Sequence, residues 1–285
     1  MKYGIQTDLT GKVAFVTGGG GMLCGTMAKA LAEAGAKVAV ADLRKKAAEA
    51  VAKEINDAGG IAIGVECNVL NRESIESANK EVIAKFGETD ILINGAGGNH
   101  PKGTTSMEFM TKEVLGNSDE NVTTFYDLDP DGIQFVFNLN FLGTLLPSQV
   151  LTKGMVKKGA GTIINISSMN AFTPLTKIPA YSAAKASISN FTQWLAVHMS
   201  QVGIRVNAIA PGFFLTDQNR SLLTNKDGSY TARAEKILNN TPMGEFGTPE
   251  DLIGALLWLT SEEAARFVTG TVIPVDGGFA AYSGV

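Results

Sequence analysis

The chain has 285 residues, 45% of them hydrophobic and 18% charged, with a formal net charge of −4. That much apolar sequence can bury a sizeable core, and a mildly negative balance without a basic block excludes the electrostatic footprint of a nucleic-acid binder. No apolar run reaches the roughly 18 residues of a membrane span, and the first residues show no charged-then-apolar signal segment. Two cysteines without a C-x-x-C, beside two lone histidines, offer neither a disulfide framework nor a metal site. The expectation is a cytoplasmic protein with a small-molecule partner, no metal, and no membrane or nucleic-acid partner.

In chain order the first short apolar run is KVAFVTG at 12–18, overlapping the glycine-rich VTGGGGMLCG at 16–25. KVAVAD at 37–42, IAIGVE at 61–66, DILINGAG at 90–97, GTIINISS at 161–168, IRVNAIAP at 204–211 and GTVIPVDGG at 270–278 follow. Stretches of helical spacing and composition, such as MAKALAEAG, lie between them. Runs that are apolar throughout fit strands buried on both faces. The pattern predicts a single α/β domain over residues 1–285: a Rossmann-type, doubly wound, mainly seven-stranded parallel sheet with helices on both faces. Two polar segments, 99–130 and 213–247, interrupt the alternation after the fourth and sixth strands. Ligands bind outside the carboxyl ends of such strands, so these excursions are expected to wall a substrate site. The acidic distal half of the first reads equally as a tolerated surface insertion.

No register of the glycine-rich stretch matches G-x-G-x-x-G, but it follows a strand and opens a helix, the context of a pyrophosphate-binding turn. Main-chain groups of Gly18, Gly21, Met22 and Leu23 are the expected contacts. Asp42 ends the second strand 24 residues after Gly18, near the place of a carboxylate that takes ribose hydroxyls and repels a 2′-phosphate. NAD is therefore favoured. Arg44, Lys45 and Lys46 follow at once and could pair with such a phosphate, which leaves NADP open; the preferred reading makes them the solvated face of the next helix.

YSAAK places Tyr181 and Lys185 four apart on a helix, hence on one face. Ser168 ends a strand 13 residues before Tyr181, and Asn140 lies in FNLNFLGTL. Carbonyl reduction builds negative charge on oxygen, so a proton donor and a hydrogen-bond donor must face it. Tyr181 is the expected acid, or base in the oxidising direction, and Ser168 the polarising hydroxyl. Lys185 is expected to draw the phenol down from its usual value near 10 and to hold the nicotinamide ribose.

These residues, with TGGGGMLCG, NGAGG and VDGG at 275–278, resemble the short-chain dehydrogenase/reductase family over about Gly11 to Gly278. The family pattern T-G-x-x-x-G-x-G departs here at Met22 and Cys24, with Gly21 and Gly25 one residue to either side. The resemblance implies that Asn140 holds a proton-relaying water. It also implies that Asn68 and Val69 lie at the adenine, with Asn in place of the family's Asp. Asn94, Ala96 and Gly97 would form the turn beside the cofactor, and Pro211, Gly212, Phe214 and Thr216 would grip the carboxamide. A homotetramer is the family expectation. Within the family, NGAGGNHPKGTT, SSMNAFTPLTKIPAYSAAK and APGFFLTDQNR resemble the branch that interconverts D-mannonate and D-fructuronate. A sugar acid needs a cation for its carboxylate, and His100, Lys102, Asn170, Lys177 and Arg220 lie on the loops expected to ring the site. Lys177 and Arg220 are the leading carboxylate candidates. His198 is expected to be structural. The rival readings are a gluconate 5-dehydrogenase or another polyol or sugar-acid short-chain dehydrogenase, and a non-catalytic cofactor sensor; the intact Asn140, Ser168, Tyr181 and Lys185 argue against the sensor.

Overall fold

The structure, a computed structural model, describes residues 7–115, 119, 121–216 and 220–284. Seven parallel strands, β1 (Val13–Thr17), β2 (Lys37–Asp42), β3 (Ile61–Glu66), β4 (Ile91–Asn94), β5 (Gly161–Ile166), β6 (Ile204–Pro211) and β7 (Val272–Val275), form one sheet in the order β3-β2-β1-β4-β5-β6-β7. Each coincides with one of the seven apolar runs. The strand order reverses beside β1, where Thr17 lies between Ala41 of β2 and Asn94 of β4. A crevice opens at that switch point.

Helices α1 (Met22–Glu33), α2 (Lys45–Asp57) and α3 (Arg72–Phe86) follow the first three strands. Helices α4 (Pro130–Phe137), α5 (Gly143–Leu151), α6 (Lys153–Lys158) and α7 (Pro179–Met199) come next. Helices α8 (Arg220–Leu223), α9 (Ala232–Asn239) and α10 (Ile253–Thr260) complete the set. Two cores result, one on each face. Met27 and Leu31 of α1, Ala52 and Ile55 of α2 and Leu256 and Leu259 of α10 pack on one; Ile75 and Val82 of α3, Leu151 of α5 and Phe191 and Leu195 of α7 pack on the other. Phe15, Leu92 and Ile163 are fully buried under the second group, each contributing about 1.5–3 kcal/mol by burial. Helix α7 turns Ala180, Ala184, Ile188, Phe191 and Leu195 inward, the three-to-four spacing of one helical face, and Pro179 opens it where a missing N–H costs nothing.

Both excursions rise above the carboxyl edge. The first is pinned by hydrogen bonds from Asp129 N–H to the Lys102 carbonyl and from Thr105 N–H to the Lys177 carbonyl, 3.2 and 2.8 Å. The second carries α8 and α9 and a small core of its own, Leu223, Ala234, Ile237 and Phe246. Among the described residues no helix is long and apolar enough to cross a membrane, and no group of three or more His, Cys, Asp or Glu is placed to hold a metal ion.

Candidate active site

The floor of the crevice is stitched by Thr17, whose hydroxyl accepts from the N–H groups of Gly95 (3.0 Å) and Ala96 (3.2 Å). Gly18 follows at φ +67, and a side chain there would press on the backbone of Ala96 at 3.0 Å, so the turn needs glycine on both counts. The shifted glycines are accommodated by exchange: Cys24, where the family pattern has glycine, packs its sulfur against Gly95. Burial pushes that thiol up to about 11 and the Cys67 thiol up to about 12, so both are protonated packing groups. Gly21 caps α1 without any side chain bonding to the first-turn N–H groups of Met22 and Leu23.

Asp42 is nearly buried, and its carboxylate accepts from Gly20 N–H (3.2 Å) and Arg44 N–H (2.9 Å). The Arg44 guanidinium stands 3.6 Å away, beside the carboxylate, while Lys45 pairs along the helix with Glu49 at 4.0 Å. Asn68 turns its side-chain oxygen onto Leu70 N–H, and Val69 packs against Gly143. Asn94 donates from its side chain to Ser148 (3.0 Å) and Asn165 (2.9 Å), so it braces the sheet and leaves the crevice wall to the main chain of 95–98. Beyond β6, Gly212 N–H bonds the Val275 carbonyl at 2.9 Å, and the Phe214 ring is buried against Gly247. Pro211 closes the pairing with Val275, and the Thr216 carbonyl accepts from Arg220 N–H. Asp217, Gln218 and Asn219 lie outside the described residues.

Asn140 sits in a π-helical turn, Asn138–Leu142, that joins α4 to α5. It is fully buried and donates to the carbonyls of Gly98 (2.7 Å) and Val136 (2.8 Å), while its own side-chain oxygen accepts from Gly98 N–H at 3.3 Å. A side chain at Gly97 would come within 2.7 Å of that oxygen and 3.2 Å of Lys185 Nζ. Asn140, Gly97 and Lys185 therefore meet at one point, and Tyr181 and Ser168 complete the group, the serine hydroxyl near enough to draw the phenol down. Ser167, the competing serine, is turned inward and lies 2.7 Å from Ser189 Oγ.

The titration of the pair differs from the sequence expectation. Burial pushes the Tyr181 phenol up to about 12, with the Ser168 hydrogen bond opposing, and pushes Lys185 down to about 8. The reason is geometric. Lys185 Nζ lies over the Tyr181 ring, 5.6 Å from its centroid, and donates to the Ile166 carbonyl at 2.8 Å. Burial dominates the titration of both groups, and the ammonium is engaged by the Ile166 carbonyl.

Of the loop candidates, His100 accepts from Lys102 N–H (3.2 Å) and packs on Phe135, which makes it a cap of the first excursion, and Lys102 is paired with Asp129 at 2.9 Å. Asn170 is buried, its N–H on Ser168 Oγ and its side-chain oxygen without a partner. Lys177 holds φ +72, a region that non-glycine residues rarely occupy, four residues before Tyr181. Arg220 is exposed at the start of α8. His198 stacks on Trp194 at 4.8 Å, away from the group. Thr17 and the Gly98 main chain are parts of the site that single-residue reasoning missed, although Thr17 opens the glycine motif.

A family model described as short chain dehydrogenase matches residues 12–227. An uncharacterized oxidoreductase of Haemophilus influenzae is 56% identical over 285 residues, covering 100% of this chain and 99% of its own. A solved structure described as a candidate D-mannonate oxidoreductase from the same species, with bound NAD, is 58% identical with a TM-score of 0.92, covering 98% of each chain. A gluconate 5-dehydrogenase from Burkholderia cenocepacia, in complex with NADP and tartrate, is 28% identical with a TM-score of 0.82, covering 97% of this chain and 98% of its own.

Proposed function

Because the chain belongs to the short-chain dehydrogenase family, we propose that it is an NAD-dependent oxidoreductase that interconverts D-mannonate and D-fructuronate. The observation that carries the chemistry is the convergence of Asn140, Gly97 and Lys185, with the Tyr181 ring beneath the lysine and the Ser168 hydroxyl lowering the phenol, at the carboxyl edge of the sheet. The substrate rests on the relative of 58% identity, described with NAD bound as a candidate for this activity.

The crevice residues fit a dinucleotide. Uncapped N–H groups at Met22 and Leu23 suit a pyrophosphate, together with Gly18 and Gly21 in the turn, where the Gly21 N–H is itself bonded to the Gly18 carbonyl at 3.0 Å; Asp42, already an acceptor of two N–H groups, suits ribose hydroxyls; and the bare Gly97 surface beside Asn140 and Lys185 suits a close-lying ring. Asn68 and Val69 are assigned to the adenine end, and Asn94, through its main chain, with Ala96 to the cofactor turn. Pro211, Gly212, Phe214 and Thr216 are assigned to the nicotinamide end, Phe214 through its main chain. Arg44 would be the partner of a 2′-phosphate, but its place beside Asp42 favours NAD. When bound, NAD supplies the hydride acceptor and NADH the donor.

In reduction Tyr181 gives its proton to the substrate oxygen while Ser168 donates a hydrogen bond to it; in oxidation Tyr181 takes the proton back. Lys185, poised at about 8, can return a proton to the phenolate near neutral pH. Asn140 holds the Gly97–Gly98 main chain against that lysine and is assigned the relay water. The substrate carboxylate lies four bonds from the reacting carbon, about 5 Å in an extended chain. Lys177 is assigned to it, with Arg220 as the alternative, and the unpartnered Asn170 oxygen is assigned to a substrate hydroxyl. His100 acts by shaping the loop. The whole chain is taken as one catalytic domain with the excursions as walls. The exposed Trp194 and Val197 on α7 suit burial between subunits of a homotetramer, and two free thiols suit the cytoplasm.

Nicotinamide absorbance with D-mannonate and D-gluconate, each with NAD and NADP, is the test. Turnover of D-mannonate with NAD well above the other pairs is expected. Preference for gluconate would move the protein to the reading favoured by the Burkholderia relative, and NADH binding without turnover of any acid would restore the sensor.

A further inference from the structure

The two excursions meet at a charged cluster on the rim of the site. Beyond the bond from Thr105 N–H to the Lys177 carbonyl (2.8 Å), the first excursion closes on itself through Ser106 N–H to the Thr123 carbonyl and Thr123 N–H to Ser106 Oγ, both 2.9 Å. Thr105 also donates its hydroxyl to the Met107 carbonyl at 2.8 Å. These bonds fix where Glu108 stands. Its carboxylate forms an ion pair with Lys236 of α9, on the second excursion. Lys177 and Arg233 add further attraction and help hold the carboxyl below its usual range. One cation thus pairs with the Glu108 carboxylate and two more lie within electrostatic reach of it, and one of these is the lysine placed four residues before Tyr181 in a backbone conformation with φ +72. A strained residue kept by its neighbours at such a place points to use.

We propose that Glu108 is a specificity-determining residue: a resident carboxylate that occupies the cationic field in the substrate-free protein and yields Lys177 to the carboxylate of the incoming acid. The inference rests on the reading of the substrate as a sugar acid. Two carboxylates cannot share one lysine without repulsion, so Glu108 competes with every acid that enters and lowers its affinity. It has no such effect on an uncharged ligand. Without Glu108 the three cations would face the substrate alone.

The test compares wild type with Glu108→Gln, which keeps the shape and an acceptor for Lys236, using NADH with D-fructuronate and with D-fructose, its uncharged counterpart. The variant is expected to lower KM for D-fructuronate by about threefold, the size of one exposed charge pair, with the change confined to KM and to the acid. An unchanged or raised KM for the acid, or an equal fall for D-fructose, overturns the proposal. If wild type does not turn over D-fructuronate, the functional reading fails by itself, and titration calorimetry with D-gluconate decides the inference. Binding about threefold tighter in E108Q than in wild type, with the gain lost in the E108Q/K177M double variant, supports it. Equal affinity, a gain that survives K177M, or no binding to either protein overturns it.

Discussion

Replacing Lys185 with methionine should make the protein inactive and, without cofactor, more stable at neutral pH. The buried ammonium is held down at about 8 from its ordinary 10.5 by desolvation. That difference corresponds to about 3 kcal/mol of cost for keeping the charged form folded. Methionine removes this cost but leaves the Ile166 carbonyl without the 2.8 Å bond it accepts, a loss of about 1–2 kcal/mol. A net gain of about 1–2 kcal/mol remains at pH 7. The gain must depend on pH with a definite sign. Below 8 the lysine is charged in both states and the folded wild type bears the full cost. Between 8 and 10.5 the folded state loses its proton while the unfolded chain keeps it, so wild-type stability rises with pH. Tyr181, raised to about 12 from 10, acts oppositely above pH 10 but is common to both proteins. Urea denaturation of the two proteins at pH 7 and pH 10 should show wild type recovering about 2–3 kcal/mol relative to the variant. A stability difference that is the same at both pH values, or a variant less stable at pH 7 by more than about 2 kcal/mol, would refute the claim that Lys185 is held against its solvation preference.

Tyr181→Phe should retain NADH binding, followed by fluorescence, while lowering kcat by about 10²–10⁴, the usual worth of a positioned proton donor; a loss under tenfold would remove Tyr181 from that role. Lys177→Gly relieves the residue at φ +72 and should raise stability by about 1 kcal/mol in urea. The same variant should raise KM for the acid by about tenfold; if neither quantity moves, Lys177 is neither strained nor a ligand. Gly97→Val places carbon 2.7 Å from Asn140 Oδ1 and should cost about 1–3 kcal/mol of stability and most NADH affinity. Unchanged calorimetric NADH binding would contradict the assignment of that surface to the cofactor.

All seven strands were visible as apolar runs because a parallel sheet covered on both faces leaves no polar side to dilute the signal. The catalytic group was legible for a similar reason: Tyr181 and Lys185 are spaced by the helix itself, and Ser168 follows two residues after the strand that leads to it. What the sequence concealed depends on contacts between distant segments. Asn94 reads as a residue of the cofactor turn, yet its amide is spent on Ser148 and Asn165, 54 and 71 positions away. The direction of the Tyr181 shift required knowing how deeply the fold buries the phenol. Nothing in the local composition marks Lys177 for positive φ or joins Glu108 to Lys236, since both follow from how the excursions fold back on the rim.

The π-helical turn at Asn138–Leu142 also fixes the phase of everything that follows it on the helix. It holds one residue more than an ordinary turn, and the surplus sets which side of α5 looks inward. Thr144, Ser148 and Thr152 descend that side, each hydroxyl bonded to the carbonyl four residues back, and Ser148 also accepts from Asn94. Deleting a single residue within the turn would regularise the helix but rotate this row by about 100°, swinging hydroxyls out of the interior and carrying Asn140 off the Gly98 carbonyl. Chain length is therefore constrained here more tightly than side-chain identity, and a one-residue deletion scan should find this five-residue segment among the least permissive places in the protein.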